Sequence, residues 1–232
     1  MGQVLRVLSA NLWNGGADPV AFAELVESLE VDVVATQELS PEQADALADV
    51  LPHGELAPAR DYTGMGLAMR RPGKLSRVPL ACRDAWVAEL HTDSWPELGT
   101  AIEVVNVHIA APTIRLRSLQ GLRYRRVQVP QLERYLERTA KGPRVLVGDF
   151  NSTPLWPAYH RFASRLSDVA VAVAQRHSRP LRRTWGPWAG SPRLLRIDHG
   201  FVEGLHAEDF RVVHVPGSDH SAVVMDLAPT PT

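Results

Sequence analysis

The chain has 232 residues, of which 45% are hydrophobic and 22% charged, a composition that excludes a disordered polyelectrolyte and suits a folded domain. Its 25 basic and 26 acidic residues leave a formal net charge of −1, which excludes a broadly basic nucleic-acid coat but not a locally basic cleft. The single cysteine, Cys82, excludes an intramolecular disulfide and a cysteine-rich zinc site, and as a free thiol it is expected to be a small buried apolar residue.

In chain order, Val4 to Ala10 reads as a strand. Asp18-Pro19 caps a helix running to Leu29, and Val31 to Thr36 is a short buried strand. Ser40-Pro41 opens a second helix to about Val50. From Glu55 to His108 the texture changes to short strand-like runs at Leu67 to Met69, Leu75 to Leu80, Trp86 to Leu90 and Ala101 to Val107. Turn residues separate them, including a polar turn over Asp93 to Gly99, so an antiparallel meander is expected.

Ser118 to Thr139 returns to helical spacing, with Pro130 as a point of bending or interruption. Arg144 to Val147 is a strand ending at Gly148-Asp149-Phe150-Asn151. Thr153-Pro154 is expected to start a short helix, and Val169 to Ala174 fits either strand or helix. Strands follow near Ile197 to Val202, Phe210 to Val215 and Ala222 to Leu227. The pattern predicts two packed sheets with helices outside, in one domain over residues 1–228 with a tail over 229–232.

No apolar run reaches the ~20 residues of a membrane helix, and the start MGQVLRVLSANLW lacks a signal-peptide pattern, so a cytoplasmic monomer is expected. Met1-Gly2 resembles a myristoylation start only superficially, because Leu5 and Arg6 follow where a small hydroxyl residue is usual.

The chemically useful residues cluster at strand ends: Asn11, Gln37-Glu38, His108, Asp149, Asn151, Asp198-His199 and Ser218-Asp219-His220. Singly, each fits a cap, a turn or a satisfied polar residue. Together the types are informative. Glu38, Asp149 and Asp219 are hard oxygen ligands suited to Mg²⁺ or Mn²⁺. His108 and His220 suit proton donation to a phosphoryl oxygen or its positioning, and Asn151 is a neutral donor for a water or an equatorial oxygen. Ser218 and Ser221 read as turn and capping residues.

These pieces resemble the endonuclease/exonuclease/phosphatase superfamily. The matching segments are Leu8-Ser9-Ala10-Asn11-Leu12-Trp13, Val34-Ala35-Thr36-Gln37-Glu38, Asn106-Val107-His108, Val147-Gly148-Asp149-Phe150-Asn151, Arg196-Ile197-Asp198-His199 and Ser218-Asp219-His220-Ser221. The resemblance implies an α/β fold: a four-layered α/β sandwich of two packed mixed sheets with helices on the outer faces, DNase I-like. It implies a divalent-metal-dependent phosphoric ester hydrolase using Mg²⁺ or Mn²⁺. Glu38, Asp219 and Asn11 would form the metal side, with Asn11 a ligand or an orienting group. Asp149 would position or activate the water, Asn151 would contact the scissile phosphate, and His108 would sit near the leaving group. His220, oriented by Asp198, would be general base or electrostatic clamp, with Asp149 the alternative base.

Two arginine stretches bear on the substrate. The first is Arg115, Arg117, Arg123, Arg125 and Arg126; the resemblance implies that a basic or tyrosine residue of this stretch reaches the phosphate, with Arg123 or Arg126 the expected one. The second, Arg176 to Arg196, interleaves with Trp185 and Trp188, and Trp13 lies beside Asn11; Trp13 and Trp185 are the expected aromatic walls of the cleft. The leading expectation is a phosphodiesterase or nuclease acting on DNA or RNA. The alternatives are a phosphomonoesterase for a small molecule, inositol phosphate or lipid headgroup, and an inactive binding module.

Overall fold

The computed structural model describes residues 4–112, 119–139 and 142–230. Met1-Gly2, Arg115, Arg117, Ser118 and the last two residues of the expected tail lie outside them.

The first sheet holds β1 (Leu5–Asn11), β2 (Val33–Gln37), β3 (His53–Ala57), β4 (Met65–Met69), β11 (Leu205–His214) and β12 (Ser221–Pro229), in the order β11-β12-β1-β2-β4-β3. The second holds β5 (Lys74–Val78), β6 (Ala85–Leu90), β7 (Ile102–His108), β8 (Arg144–Asp149), β9 (Ser167–Asp168) and β10 (Asp198–Glu203), in the order β5-β6-β7-β8-β10-β9. Each sheet has a parallel pair at its centre, β1 with β2 and β7 with β8, flanked by antiparallel strands.

Alternation along the strands builds the layers. Val7, Val33, Ala35, Val104, Val145 and Val147 pack between the sheets. Leu8, Ala10 and Val34 face the other way, onto α1 (Pro19–Ser28) and α2 (Pro41–Val50) through Phe22, Val26 and Leu47. Val105, Val107 and Leu146 cover the outer face of the second sheet with Val129 and Leu132 of α3 (Gln120–Arg138) and Tyr159 and Phe162 of α4 (Pro157–Ala163). The central strands are apolar on both faces because both faces are buried. This is the expected four-layered sandwich. Among the described residues, no helix is long and apolar enough to cross a membrane.

The caps read from sequence form. Asp18 Oδ1 accepts from Ala21 N at 2.8 Å, and Ser40 and Gln43 make a reciprocal capping box. Gln43 also donates to the carbonyls of Leu12 and Ala17, tying α2 to the loop after β1.

Several local expectations are corrected. The Glu55 to His108 region is antiparallel but is not one meander: β3–β4 belongs to the first sheet and β5–β6–β7 to the second. The break falls at Arg70-Arg71-Pro72-Gly73, where Pro72 has no N–H to continue a ladder. The Asp93 to Gly99 turn buries Trp95 completely, with its Nε1 donating to Pro72 O. Pro130 does not interrupt α3; it removes one donor, opposite the carbonyl of solvent-exposed Arg126, where water can satisfy the acceptor. The helix expected at Thr153-Pro154 starts at Pro157, and Val169–His177 is helix (α5), capped by Asp168. Pro229 pairs with Leu205 as the last residue of β12 rather than opening a tail.

Candidate active site

The carboxyl ends of the two parallel pairs and the starts of two antiparallel neighbours meet at one edge of the sandwich. In β1 and β2, Asn11 lies beside Gln37, with Glu38 next. In β7 and β8, His108 lies beside Asp149, and Asp198 of β10 pairs with Asp149 from the other side. The turn before β12 delivers Ser218-Asp219-His220. Register therefore gathers residues far apart in sequence.

Tight backbone geometry supports this edge. Gly148 has φ +145°, and a Cβ there would lie 1.9 Å from the Val107 carbonyl oxygen. Glu38 and Asn151 take left-handed conformations, φ 54° and 47°. For Glu38 that strain costs about 1–3 kcal/mol and is held by its surroundings: Leu39 donates to Gly64 O and accepts from Ala59 N.

The site residues are bonded to one another. Asn11 Nδ2 donates to Glu38 Oε1 and to Asp149 Oδ2, each at 3.1 Å, while its Oδ1 accepts from Trp13 N. Asn151 donates its backbone N–H to Asp149 Oδ1 at 2.7 Å and its amide to Asp149 Oδ2 at 2.9 Å. His108 Nε2 stands 3.5 Å from Asp149 Oδ2 and 3.7 Å from Glu38 Oε1. His220 Nδ1 lies 3.0 and 2.9 Å from the two oxygens of Asp198, and its Nε2 faces Asp149 at 4.0 Å and Asp219 at 3.9 Å. Apart from Asn151, which is half-buried, these side chains are buried.

The electrostatics follow from burial and crowding. Desolvation raises Glu38, Asp149 and Asp219 above the usual carboxylate range, with neighbouring carboxylates adding to it. For His220, burial opposes the charge, but Asp198 and then Asp149 and Asp219 overcome it and raise the group to about 9. Desolvation, with the charges of Arg83 and His220, pushes His108 well below its ordinary value, which favours the neutral imidazole.

Asp149, Asp198 and His220 bring one ligand atom each within 4.8 Å of one another, an arrangement that could hold a divalent cation. The donor set also fits a hard cation through Glu38 and Asp219. Asp219 Oδ1 is buried with no hydrogen-bond partner among the described residues, while its Oδ2 accepts from Trp185 Nε1 at 3.0 Å. Three crowded carboxylates with an orphaned oxygen are a chemistry that a divalent ion neutralises.

A cleft of about 660 Å³ opens over this edge, lined by Glu38, His108, Asp149, Asn151, Asp219 and His220 with aromatic walls from Trp13, Tyr62, Tyr124 and Trp185. The expected site residues Asn11, Glu38, His108, Asp149, Asn151, Asp198, Asp219 and His220 thus come together, and Trp13 and Trp185 border them. Arg123 and Arg126 stand on the exposed face of α3 and are not among the cleft-lining residues; Tyr124 is. Arg125 turns inward, donating to Ala110 O, Phe150 O and Ser152 Oγ. Trp188 is exposed away from the cleft lining. Cys82, expected to be buried, is exposed at the cleft because it sits in a turn with φ 76°.

Sequence reading missed the support of the Ser218-Asp219-His220 turn. Arg193 Nη1 donates to Asp219 O, Nη2 to the carbonyls of Ser218 and His220, and Nε to Ser221 Oγ, all within 3.1 Å. Ser218 Oγ donates to Asn11 O at 2.8 Å and accepts from His220 N. Thr184 Oγ1 accepts from Asp198 N, and Thr184 O from Ser221 N. Arg193 was visible only as one of a run of arginines. Tyr124 lies in the stretch where the family resemblance implies a basic or tyrosine residue at the phosphate, but Arg123 or Arg126 was expected in its place; nothing in the sequence marks Arg83 or Tyr62 as cleft residues.

The family model described as the Endonuclease/Exonuclease/phosphatase family matches residues 8–220, and the chain belongs to that family. No curated protein matches the sequence. Among solved structures, the chain is similar to an endonuclease/exonuclease/phosphatase from Bacteroides vulgatus, at 20% identity and TM-score 0.75 over 98% of this chain and 100% of that one. It is similar to the human Nocturnin catalytic domain, at 21% identity and TM-score 0.70 over 98% and 95%. It is also similar to a mannosyl-6-phosphatase from Bacteroides thetaiotaomicron, at 20% identity and TM-score 0.63 over 97% and 99%. At these identities the structures share the fold. Family membership and the Asp149–Asp198–His220 cluster support phosphoesterase activity with a candidate metal-binding site.

Proposed function

We propose that this family member is a divalent-metal-dependent phosphodiesterase that cleaves nucleotide-containing esters by in-line attack of water. The observation that carries this reading is the His220–Asp198 pair, 2.9 Å apart, facing Asp149, Asp219 and Glu38 inside an aromatic-walled cleft. Trp13, Tyr62, Tyr124 and Trp185 offer faces on which a base flanking the scissile phosphate can stack.

Glu38 and Asp219 would hold Mg²⁺ or Mn²⁺, which when bound supplies Lewis-acid stabilisation of phosphoryl charge. Asn11 orients Glu38 and Asp149 through its two amide bonds. Of the Asp149–Asp198–His220 cluster that could hold a cation, His220 stays outside the coordination in this reading: Nδ1 is committed to Asp198, and three carboxylates around the ring favour imidazolium. Its role is a cationic clamp on phosphoryl oxygens. Asp149, held by both donors of Asn151, accepts the proton of the attacking water. Asn151 contacts the phosphate, and neutral His108 stands by the leaving oxygen without adding charge.

A second reading, phosphomonoester hydrolysis on a small molecule, is supported by a specific feature. Among the described residues, Arg83 is the arginine lining this cleft, which suits a single phosphate group in a compact substrate. The test is a panel of dinucleotides, single- and double-stranded DNA, RNA, sugar and inositol phosphates and a generic phosphodiester, run with Mg²⁺. Cleavage of diesters over monoesters supports the first reading, and the reverse order replaces it with the second. D149N and H220Q, assayed separately, are each expected to lose roughly 10² to 10⁴-fold in kcat. Metal-dependent cleavage surviving in both variants overturns the assignment, and metal binding without turnover on any substrate makes the chain a binding module.

A further inference from the structure

β11 is the longest strand among the described residues and stands at an edge of its sheet, paired with β12 alone. A bulge between Ala207 and Asp209 interrupts its first half, but from Asp209 to His214 it runs in unbroken register with Ser221 to Asp226. Among the described residues, no backbone hydrogen bond joins its outer edge to another element. A long, regular, unpaired edge is a template for a further strand.

Two cavities lie along that edge. The first, about 410 Å³, is lined by Phe210, Arg211 and Val212 with α5 and the segment after it. The second, about 580 Å³, is lined by Val212 and His214 with Arg182, Arg183 and Arg193. They share Pro180, Leu181, Arg182 and Val212 and so form one groove, and neither shares a residue with the catalytic cleft. Phe210 and Val212 pack toward the core between the sheets, and Val213 toward the α1–α2 side, as alternation along a strand requires. Three consecutive residues lining one cavity therefore mean that it opens on the edge of β11, where the backbone N–H and C=O groups are.

The charge of the groove is one-sided. Its lining contains Arg179, Arg182, Arg183, Arg193 and Arg211 and no carboxylate. Nearby Asp209 is occupied by Arg179 and Arg211, each at 3.4 Å. Arg193 spends its donors on neutral carbonyls and a hydroxyl. Arg182 and Arg183 are exposed and make no hydrogen bond or ion pair among the described residues. A second copy of the chain is a poor occupant, because pairing β11 with β11 would set these arginines against one another. A nucleic-acid strand would meet the arginines but leave the strand edge unused.

We propose that this groove docks an extended acidic segment of a partner protein, which adds a strand to the first sheet beside β11 while its carboxylates pair with Arg182 and Arg183. Main-chain bonds to β11 supply the affinity. Alternate side chains supply the selection, apolar ones toward Leu181, Phe210 and Val212 and acidic ones toward the arginines. The surface is separate from the catalytic cleft and stands or falls independently of the hydrolase reading.

The test titrates a fluorescein-labelled peptide of alternating glutamate and valine with the full chain and reads anisotropy, beside a lysine–valine counterpart. The acidic peptide is expected to bind and the lysine peptide not to. A variant carrying R182E and R183E should weaken binding at least tenfold and should melt with the wild type, because both side chains are exposed. Two N-methylated versions of the acidic peptide, methylated at alternate residues from the first or from the second position, separate strand addition from charge attraction. A strand presents the N–H groups of alternate residues to opposite sides, so one version should lose at least tenfold in affinity and the other should stay within threefold. Equal effects of the two methylation patterns overturn the proposal. So does a wild type that leaves the acidic peptide unbound, or binding to the double variant within twofold of the wild type. Displacement of the peptide by oligothymidylate at a lower concentration than by unlabelled peptide assigns the groove to nucleic acid and replaces the proposal.

Discussion

His220 Nδ1 sits 3.0 and 2.9 Å from the two carboxylate oxygens of Asp198, so the ring is held by one nitrogen and presents the other to Asp149 and Asp219. This pairing keeps His220 cationic up to about pH 9. Activity that depends on the imidazolium should therefore persist through neutral pH and decline as pH rises past that value. D198N removes the main charge that opposes the desolvation of His220. Its alkaline limb should move toward lower pH, with kcat down roughly 10² to 10⁴-fold. A pH–rate profile of the two proteins checks this, and an unmoved limb in D198N would show that another group controls it.

Removal of divalent cations should abolish turnover while leaving the fold intact, because the layers are held by apolar packing rather than by the ion. E38Q and D219N should each require more Mg²⁺ for half-maximal activity. The orphaned Asp219 Oδ1 and the desolvated Glu38 are the oxygens that lose most in those variants. Metal titrations of activity, with circular dichroism in chelator, read both parts.

Arg193 should behave as a positioning residue. R193M removes donors to three consecutive carbonyls, Ser218, Asp219 and His220, and should cost about 1–3 kcal/mol of stability through acceptors left unpaired. It should also lower kcat, because the turn that carries Asp219 and His220 loses its brace. R193K should rescue little, since an ammonium cannot span the same acceptors. Denaturant melts and steady-state kinetics on both variants separate the two effects, and equal recovery by lysine would contradict this account.

Between the sheets, Asn106 Nδ2 donates to Thr36 O and Gly66 O at 2.9 Å, and its Oδ1 accepts from Gln37 Nε2 at 2.7 Å. N106L should destabilise the protein by about 2–4 kcal/mol in urea unfolding, because it strands buried partners in the first sheet. A loss below about 1 kcal/mol would mean that relaxation or water satisfies them.

His199 is fully buried, its Nε2 bonded to Ser152 O at 2.7 Å and its Nδ1 without a hydrogen-bond partner among the described residues, and burial pushes it down to about 4. The unfolded chain binds this proton near pH 6.5, before the folded one does, so stability contributed by neutral His199 is present above that value. It is lost as pH falls from about 6.5 to about 4, on the order of 3 kcal/mol. Urea melts between those values should show the slope for the wild type, and a shallower one in H199Q.

The strand-end placement of Asn11, Glu38, His108, Asp149, Asp198 and His220 was legible in the sequence, and so was the layered fold. Alternation of apolar residues, capping pairs such as Asp18-Pro19 and Ser40-Pro41, and short polar motifs after apolar runs are local signals with local physical causes. They determine which residues are available and at which ends of which elements. What they do not contain is register and direction in space. Only the packed structure decided that Asp198 pairs with Asp149 across β8 and β10, and that the β5–β6 turn brings Arg83 to the same edge. It also decided that in the arginine runs Arg125 and Arg193 point inward as braces while Arg123 and Arg126 face solvent. An arginine's role is set by which acceptors stand within reach of its long side chain, and those acceptors come from elements distant in sequence. Cys82 was misread for the same reason: its burial depends on a turn geometry and a neighbouring helix, neither of which its own sequence context encodes.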